Sequence, residues 1–287
     1  MTSDRPSPLS RATRWALIVL AACACQARAQ SSALSDEVPF ITTPDNVTLE
    51  MLQAARVGPA DHVIDLGSGD GRIVIVAAKR FGATGLGVEI VPDLVDKSLR
   101  TAREVGVADR VNFKVQDLFQ TDLSPASVIT MYLLPDFNLK LRPALLALKP
   151  GTRIVSHDWD MGDWKPDQTT VVPVPDKKVG LEKSSKVHLW TVPARIDGLW
   201  CGAGSLRDFS LRVTQRYQEV KATLTRGERV REIQGQMAGA VLRTQPTRHG
   251  ALELTQEGAQ LRVTGGEGTL AMARGASFAR ATGAACR

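Results

Sequence analysis

The stretch from Val63 to Arg72 restricts the fold of this chain more than any other part of the sequence. A short apolar run, Val63-Ile-Asp-Leu66, leads into the glycine-rich turn Gly67-Ser-Gly-Asp-Gly71, and an apolar helical pattern starts at Arg72. Glycines allow positive φ and a close approach of the backbone to a ligand, and the free N–H groups at a helix start favour an anionic group. The stretch therefore predicts a strand, a ligand-binding loop and a helix, in that order.

The spacing of the glycines separates this loop from a dinucleotide-binding loop. The G-x-G-x-x-G pattern of nicotinamide-dependent oxidoreductases needs a third glycine at the position of Arg72. The pattern here is D-x-G-x-G-x-G, in which Asp65 stands two residues before the first glycine. A carboxylate at that place repels a pyrophosphate and suits a ligand that carries an ammonium group.

Segments of strand and helix character alternate from about Asp45 to Trp190, which predicts an α/β fold with a doubly wound, mostly parallel sheet. Thr43 is the candidate N-cap of the first helix, with Pro44 in its first turn. The predicted helices cover residues 46–57, 72–81, 92–105 and 136–148. The predicted strands cover residues 62–66, 85–89, 111–115, 127–133, 153–157, 169–174 and 187–192.

Two further acids stand at the ends of predicted strands. Glu89 ends the second strand and can accept two hydrogen bonds from a ribose diol, and Asp117 follows the third, where a carboxylate can face an adenine amino group. Either acid alone is equally well explained as a helix cap or a solvated loop residue. Together with Asp65 they lie at the carboxyl ends of three successive strands, which is where open α/β sheets bind ligands.

With these motifs the sequence resembles the class I, seven-stranded methyltransferases over residues 38–192. The resemblance implies a Rossmann-like sheet and S-adenosyl-L-methionine (SAM) as the cofactor. It also implies that the Asp65–Gly71 loop holds the methionine end, Glu89 the ribose, and Asp117-Leu118 the adenine. The cofactor-binding residues predicted in this way are Thr43, Asp65, Gly67, Ser68, Gly69, Asp70, Gly71, Glu89, Asp117 and Leu118.

More narrowly, the sequence is similar to a group of protein-lysine methyltransferases that act on the adenine nucleotide translocator and the ATP synthase c subunit. The similarity implies a protein lysine as the methyl acceptor, and a substrate that can be membrane-associated. Those relatives lack the late segment discussed below. The matching pieces are Pro39–Pro44, Asp65–Val74, Asp117-Leu118 and Trp164-x-Pro166-Asp167.

The acceptor side is predicted to follow the fourth and fifth strands. Tyr132-Leu-Leu-Pro135 stands where amino-methylating relatives often carry an Asn/Asp-Pro-Pro-aromatic motif, and the absence of the Asn or Asp argues against an amide or nucleobase amine. A lysine amine must lose its proton before it can accept a methyl group, so a proton sink or a desolvating pocket is needed. Tyr132 and Asp158 are the candidate catalytic residues, although Tyr132 can equally be a core tyrosine. The spacing of His157 and Asp158 is not that of metal ligands, and no metal is predicted.

Residues 1–29 are predicted to be a signal peptide, because three arginines precede the apolar run Trp15–Cys25. Cleavage after Ala27-Arg28-Ala29 would leave Gln30 as the new terminus, whereas a lipobox reading would leave an acylated Cys23 as a membrane anchor. An uncleaved anchor is the third possibility. Each reading predicts an exported protein of the periplasm or cell envelope.

After Pro193 the pattern changes to short strand-like runs, which predicts a β-rich C-terminal module over residues 193–287, a small antiparallel barrel or a sandwich. The predicted methyltransferase domain is then 30–192. Residues 191–287 hold 14 basic and 8 acidic side chains. Of the net charge of +6, residues 1–29 supply +3, and the remaining +3 is too small to predict nucleic-acid binding. Cys201 and Cys286 could form a disulfide in an oxidising compartment or be two free core cysteines. The predicted strands cover residues 210–213, 220–224, 250–254, 261–263 and 269–273.

The predicted function is therefore SAM-dependent methyl transfer, with a protein lysine as the acceptor. The predicted export conflicts with the cytoplasmic origin of SAM, so a SAM-binding sensor or scaffold without turnover is an alternative. A second alternative is an envelope binding protein that works through its β-module.

Overall fold

The computed structural model describes residues 41–178 and 181–286. The predicted signal peptide and Cys23 lie outside these residues. Within the described residues, four helices and seven strands precede the β-module. The helices are α1 (Asp45–Ala54), α2 (Arg72–Phe81), α3 (Pro92–Glu104) and α4 (Pro135–Leu146). The strands are β1 (His62–Leu66), β2 (Thr84–Glu89), β3 (Val111–Val115), β4 (Val128–Met131), β5 (Arg153–His157), β6 (Gln168–Pro173) and β7 (Ser184–Thr191).

These seven strands form one sheet in the order β3-β2-β1-β4-β5-β7-β6. Strands β1 to β5 run parallel, and β7 runs antiparallel to both of its neighbours. The chain thus leaves β1 in one direction to build β2 and β3, and returns to the other side of β1 to build β4 and β5. This reversal opens a crevice at the carboxyl ends of β1 and β4. The predicted α/β fold with a mostly parallel seven-stranded sheet is confirmed.

The central strands are apolar on both faces because helices cover both faces. Neighbouring residues of β1 point to opposite sides of the sheet: Val63 packs with Met51 of α1 and Ile73 of α2, whereas Ile64 packs with Leu141 of α4. The helix α3 buries Val95 and Ala102 against β3. Among the described residues, no helix has the length and apolarity that a membrane span requires.

The β-module is a closed antiparallel barrel of eight strands, and thus a barrel rather than a sandwich. A compact apolar core fills it, with Trp200, Leu261 and Val263 among its buried side chains. A disulfide joins Cys201 on β8 to Cys286, which decides between the two alternatives for these cysteines. The strands are β8 (Gly198–Ala203), β9 (Phe209–Arg216), β10 (Glu219–Arg226), β11 (Arg229–Ala238), β12 (Val241–Thr244), β13 (Leu252–Glu257), β14 (Gln260–Gly266) and β15 (Ser277–Arg280).

Three local expectations were wrong. The segment 269–273 lies in a 3₁₀ helix, Gly268–Ala273, rather than in a strand. Its apolar residues suggested a strand, but they are not part of the barrel core: Met272, for example, keeps 90% of its surface accessible. The strands β8, β11, β12 and β15 were missed. Thr43 does not cap α1, because Pro44 occupies the N-cap position and makes no side-chain hydrogen bond there.

Candidate cofactor and acceptor site

The glycine-rich loop joins β1 to α2 at the carboxyl edge of the sheet. Gly67, Gly69 and Gly71 all have positive φ, of 74°, 54° and 77°, and a side chain at any of them would strain the backbone. A Cβ atom at Gly71 would also lie 2.7 Å from the Phe113 ring. The N–H groups of Gly67 and Ser68 both donate to the carbonyl of Val88, at 2.9 Å. The loop is thereby folded back over the end of β2.

The side chain of Ser68 is buried beneath this loop. A Cβ atom at Gly87 on β2 would lie 2.6 Å from the Ser68 hydroxyl, so glycine at that position of β2 makes room for the serine. Within the described part of the chain, the Ser68 hydroxyl has no hydrogen-bond partner.

Asp65 lies at the base of the loop and is only 2% exposed. Its Oδ1 accepts a hydrogen bond of 2.7 Å from the hydroxyl of Thr130 on β4. Burial raises the pKa of Asp65 to about 7, against the lowering effect of the Thr130 hydrogen bond, and the carboxylates of Glu89 and Asp70 raise it further. A buried carboxyl group that is ready to ionise next to a cation fits an ammonium group.

Glu89 connects the loop to the start of α3. Its Oε2 accepts from the N–H of Gly69 at 2.9 Å, while its Oε1 accepts from Ile90 at 2.8 Å and Val91 at 3.1 Å. A carboxylate has about four lone-pair sites, and the three backbone donors leave one of them, on Oε2, for a ribose hydroxyl. Glu89 is therefore fixed before any ligand arrives, at the position where β2 ends.

Asp117 and Leu118 follow β3 at the same edge. Asp117 caps the short 3₁₀ helix Leu118–Gln120, because its Oδ1 accepts from the N–H of Phe119 at 2.9 Å and its Oδ2 from the Gln120 amide at 3.2 Å. Of the explanations offered by the sequence, the helix cap therefore accounts for the contacts that Asp117 makes in the structure. The N–H of Gln116 donates to the carbonyl of Glu89 at 2.9 Å, which keeps this turn beside the end of β2.

Asp70 faces a cation of the chain itself. Arg72 donates to its two oxygens at 3.0 and 2.8 Å, and Lys97 lies 3.7 Å away. The same arginine donates to the backbone carbonyl of Thr43 at 3.0 Å. Arg72 thus connects the segment before α1 to the loop. The sequence showed Arg72 only as the departure from the dinucleotide pattern, and this connecting role was missed.

Thr43 also reaches the acceptor side through its side chain. Its hydroxyl lies 3.2 Å from Nδ1 of His157 at the end of β5, and the hydroxyl of Ser185 lies 2.9 Å from Nε2. Burial lowers the pKa of His157 to about 4, against the effect of the neighbouring Asp158 carboxylate and together with the Lys177 charge. The imidazole is therefore neutral at physiological pH and has a partner on both nitrogens.

Tyr132 follows β4 directly and packs on this histidine, with the ring centroids of Tyr132 and His157 3.8 Å apart. Because Leu66 pairs with Met131, Tyr132 lies next to Gly67 across the sheet edge. Burial raises the pKa of Tyr132, and the Asp158 carboxylate adds to the effect, so the hydroxyl stays protonated. The half-buried ring is a partly desolvated aromatic surface on His157, at the carboxyl end of β4.

Asp158 adopts a left-handed conformation with φ of 62°. Its Oδ2 lies 2.8 Å from the ammonium of Lys177, and its Oδ1 accepts from the N–H of Lys186 at 2.9 Å. Burial acts in the opposite direction, but the Lys177 and Lys186 hydrogen bonds and the His157 charge lower the pKa of Asp158. The carboxylate is held in an ion pair, which makes it a weak proton acceptor.

The structure brings most of the predicted residues to one edge of the sheet. Asp65, the glycine loop and Glu89 are joined by short contacts, and Tyr132 and Asp158 meet at His157. Sequence reasoning missed Thr130, Lys177 and Ser185, because each of them reaches the site through strand pairing between distant segments. The one available signal for Thr130 was a polar residue inside an otherwise apolar strand.

Comparisons with known proteins agree with this geometry. A family model described as the ANTKMT methyltransferase domain matches residues 65–168. A protein-lysine N-methyltransferase of Saccharolobus islandicus is 42% identical over 137 residues, which are 47% of this chain and 85% of that protein. The human lysine N-methyltransferase of the ATP synthase c subunit is 34% identical over 134 residues, 46% of this chain and 55% of its own length. The chain therefore spans only about half of that human relative.

A solved structure of an RNA methyltransferase from Salinibacter ruber, in complex with S-adenosyl-L-homocysteine, is 52% identical and covers 54% of this chain and 96% of its own, with a TM-score of 0.49. The archaeal match extends over most of that enzyme, and the family model covers the glycine loop, Glu89 and the acceptor side. The chain is thus a SAM-dependent methyltransferase and belongs to the family of these protein-lysine N-methyltransferases.

Proposed function

We propose that this methyltransferase transfers a methyl group to the ε-amino nitrogen of a lysine in a protein. The observation that carries the proposal is the aromatic surface of Tyr132, which lies next to the glycine loop and is backed by the neutral ring of His157. An aromatic face attracts an amine that is cationic or becomes so. The names of the archaeal and human relatives, both protein-lysine methyltransferases at 42% and 34% identity, support the same acceptor.

We infer that Asp65 pairs with the ammonium of the cofactor and that Oε2 of Glu89 accepts a hydrogen bond from its ribose. Gly67, Ser68, Gly69 and Gly71 would present backbone to the methionine part, while Asp70 and Thr43 would keep the loop in place through Arg72. Asp117 and Leu118 would border the adenine. The group held there supplies an electrophilic methyl bound to a sulfonium, so the protein mainly aligns the acceptor with it.

On the acceptor side the chain offers desolvation rather than a strong base. Both nitrogens of His157 are hydrogen-bonded and Asp158 is paired with Lys177. Removing water from a lysine amine lowers its pKa and favours the neutral, nucleophilic form. As the nitrogen forms its new bond to carbon it gains positive charge, which the face of Tyr132 can stabilise. Tyr132 then acts by its ring and not by its hydroxyl.

This role predicts different results for two substitutions of Tyr132. Tyr132→Ala should lower kcat/KM for the acceptor by about tenfold or more, since a desolvated cation–π contact contributes about 1–2 kcal/mol. Tyr132→Phe keeps the ring and should keep most of the activity. Both variants should bind SAM as the unchanged protein does. The measurement is transfer of a labelled methyl group to protein from an extract that lacks this enzyme, followed by hydrolysis and separation of the methylated amino acids.

Label recovered as mono-, di- or trimethyl-lysine supports the proposal. Label recovered only in RNA, in small molecules or in other amino acids would contradict it. The c subunit of ATP synthase is the first purified acceptor to add, because the human relative is named for it. Equal activity of the alanine and phenylalanine variants would exclude the aromatic contact.

We also propose that residues 1–29 direct export, that residues 30–192 are the methyltransferase domain, and that residues 193–287 are a separate module. The disulfide between Cys201 and Cys286 supports an oxidising compartment. Cell fractionation and N-terminal sequencing test this proposal. We expect the protein in the envelope fraction, with either Gln30 or a lipid-modified Cys23 as its first residue, and an unprocessed chain in the cytoplasm would contradict export.

A further inference from the structure

The segment that connects β5 to β6, Asp158–Asp167, links the acceptor side of the sheet to the barrel. It begins at Asp158, beside Tyr132 and His157, and exposes Trp159, which keeps 43% of its surface accessible. Its first half is held by the sheet domain, because the Asn138 amide of α4 donates to the carbonyls of Trp159 at 3.1 Å and Asp160 at 3.2 Å. We call Asp158–Asp167 the rim segment.

The second half of the rim segment is held by the turn between β9 and β10 of the barrel. Gln218 in this turn is buried, with 8% of its surface exposed. Its Oε1 accepts from the indole N–H of Trp164 at 3.0 Å. Its Nε2 donates to the carbonyl of Lys165 at 2.7 Å and to Oδ1 of Asp167 at 3.0 Å. One barrel side chain thus makes three hydrogen bonds to the rim segment.

The neighbouring Tyr217 adds an aromatic contact. Its ring stacks on Trp164, with centroids 5.9 Å apart and planes inclined by 19°. Its hydroxyl donates to Asp163 at 3.1 Å, and Asp163 also pairs with Arg216 of β9 at 2.8 Å and with Arg142 of α4. Tyr217 has a φ of 55°, an unfavourable conformation for a bulky residue that persists where surrounding contacts impose it.

These contacts surround a buried part of the rim segment. Trp164 is 1% exposed, and its carbonyl accepts from the indole N–H of Trp190 on β7 at 2.9 Å. The segment is therefore fixed to the sheet through Asp158, Asn138 and Trp190, and to the barrel through Tyr217 and Gln218. Trp159 and Asp160, whose carbonyls Asn138 holds, remain exposed next to the acceptor side.

We propose that the barrel positions the acceptor side of the methyltransferase, and that Gln218 is the main positioning residue. Loss of its amide would leave the buried Trp164 N–H without a partner and remove the bonds to Lys165 and Asp167, which favours opening of the segment. None of these contacts involves a residue of the glycine loop, so SAM binding there should not depend on them. The effect on acceptor binding rests on the proposed function, whereas the effect on the rim segment does not.

The test compares Gln218→Leu with a matched barrel variant in the full chain. Leucine is similar in size to glutamine but has no amide group, so the substitution removes the three hydrogen bonds and leaves little empty space. The control is Val263→Ala on β14, a buried core position on the strand opposite β10 in the closed barrel order. Amide hydrogen exchange of peptides over 158–167 should be faster by about tenfold or more in Gln218→Leu, and unchanged in Val263→Ala. This measurement needs no acceptor.

Unchanged exchange in Gln218→Leu, or equal acceleration in Val263→Ala, would overturn the positioning role. Should Gln218→Leu fail to fold, Tyr217→Phe removes only the hydroxyl bonds to Asp163 and should accelerate exchange of the same peptides to a smaller extent. Unchanged exchange in that variant would count equally against the role.

Kinetics test the second half of the inference. Gln218→Leu should raise KM for the protein acceptor by about tenfold while the Kd of SAM stays unchanged. Faster exchange with an unchanged acceptor KM would show that the barrel supports the segment without serving the acceptor. An enzyme that methylates no protein in any form would count against the proposed function and would leave the exchange result standing.

Discussion

Asp65→Asn is expected to weaken SAM binding by at least about a hundredfold, because it removes the buried carboxylate that we propose as the partner of the ammonium group, and breaking such a pair costs about 3 kcal/mol or more. The same substitution should stabilise the ligand-free protein above pH 7. Asparagine can still accept the hydrogen bond from Thr130, which the Asp65 carboxylate accepts at 2.7 Å. Calorimetric titration with SAM measures the first effect, and urea unfolding at several pH values measures the second.

The sign of the stability effect follows from the pKa of Asp65, which burial raises from 3.8 to about 7 in the folded protein. Between these values the folded state keeps a proton that the unfolded state has lost, so the stability of the unchanged protein falls as pH rises through this window. Asp65→Asn removes this dependence. The gain in the free energy of unfolding of Asp65→Asn over the unchanged protein should grow from pH 4 to pH 7. Above pH 7 it should stay constant, on the order of 2–4 kcal/mol.

Binding should show the complementary dependence on pH. The affinity of the unchanged protein for SAM should fall below pH 7, as the carboxyl group must first lose its proton, and the affinity of Asp65→Asn should be weak at every pH. Asp96→Asn, at an exposed position of α3, is the matched control and should change neither quantity. Full SAM affinity in Asp65→Asn would mean that the ammonium group is bound elsewhere.

Removal of the disulfide, in the double variant Cys201→Ser and Cys286→Ser, should lower the free energy of unfolding of the barrel by about 4 kcal/mol. The bond closes a loop with a sequence separation of 85 residues, and in the chain-entropy model the stabilisation grows with the length of the closed loop. The measurement is denaturant unfolding of the oxidised protein, of the reduced protein and of the double variant.

The effect should be confined to the barrel. The apolar core of the barrel contains no residue of β1 to β5, so SAM binding at moderate temperature should be the same with and without the disulfide. Equal unfolding midpoints under oxidising and reducing conditions would contradict the prediction. A loss of SAM affinity on reduction would mean that the two cores are coupled more strongly than these contacts indicate.

The sheet domain could be predicted from the sequence because its local patterns and its tertiary structure agree. In α2 the glycines at both ends and the apolar face predict the bounds 72–81 that the structure has. The acids after β1 and β2 could be placed for the same reason, since strand ends in a parallel sheet share an edge. Thr43 could not, because its hydroxyl finds a buried partner in His157, 114 residues later, in place of the helix that follows it.

The barrel was harder to predict because its strands carry a weak local signal. In β11 the first four residues are exposed, and of its two buried positions only Met237 is a large apolar residue, since the other is Gly235. A Cβ atom at Gly235 would lie 2.5 Å from the carbonyl oxygen of Arg243 on β12. The alternation in β11 is therefore short and interrupted by a glycine that close strand packing requires.

The closure of the barrel has a consequence for folding. The sheet ends at the edge strands β3 and β6, and an open β-module beside them would offer unpaired backbone groups with which those edges could exchange strands. A barrel that pairs β10 with β9 has no such groups to offer. The two units can therefore fold in either order and meet afterwards, through the side chains of Tyr217 and Gln218, with little risk of a mixed, misassembled sheet.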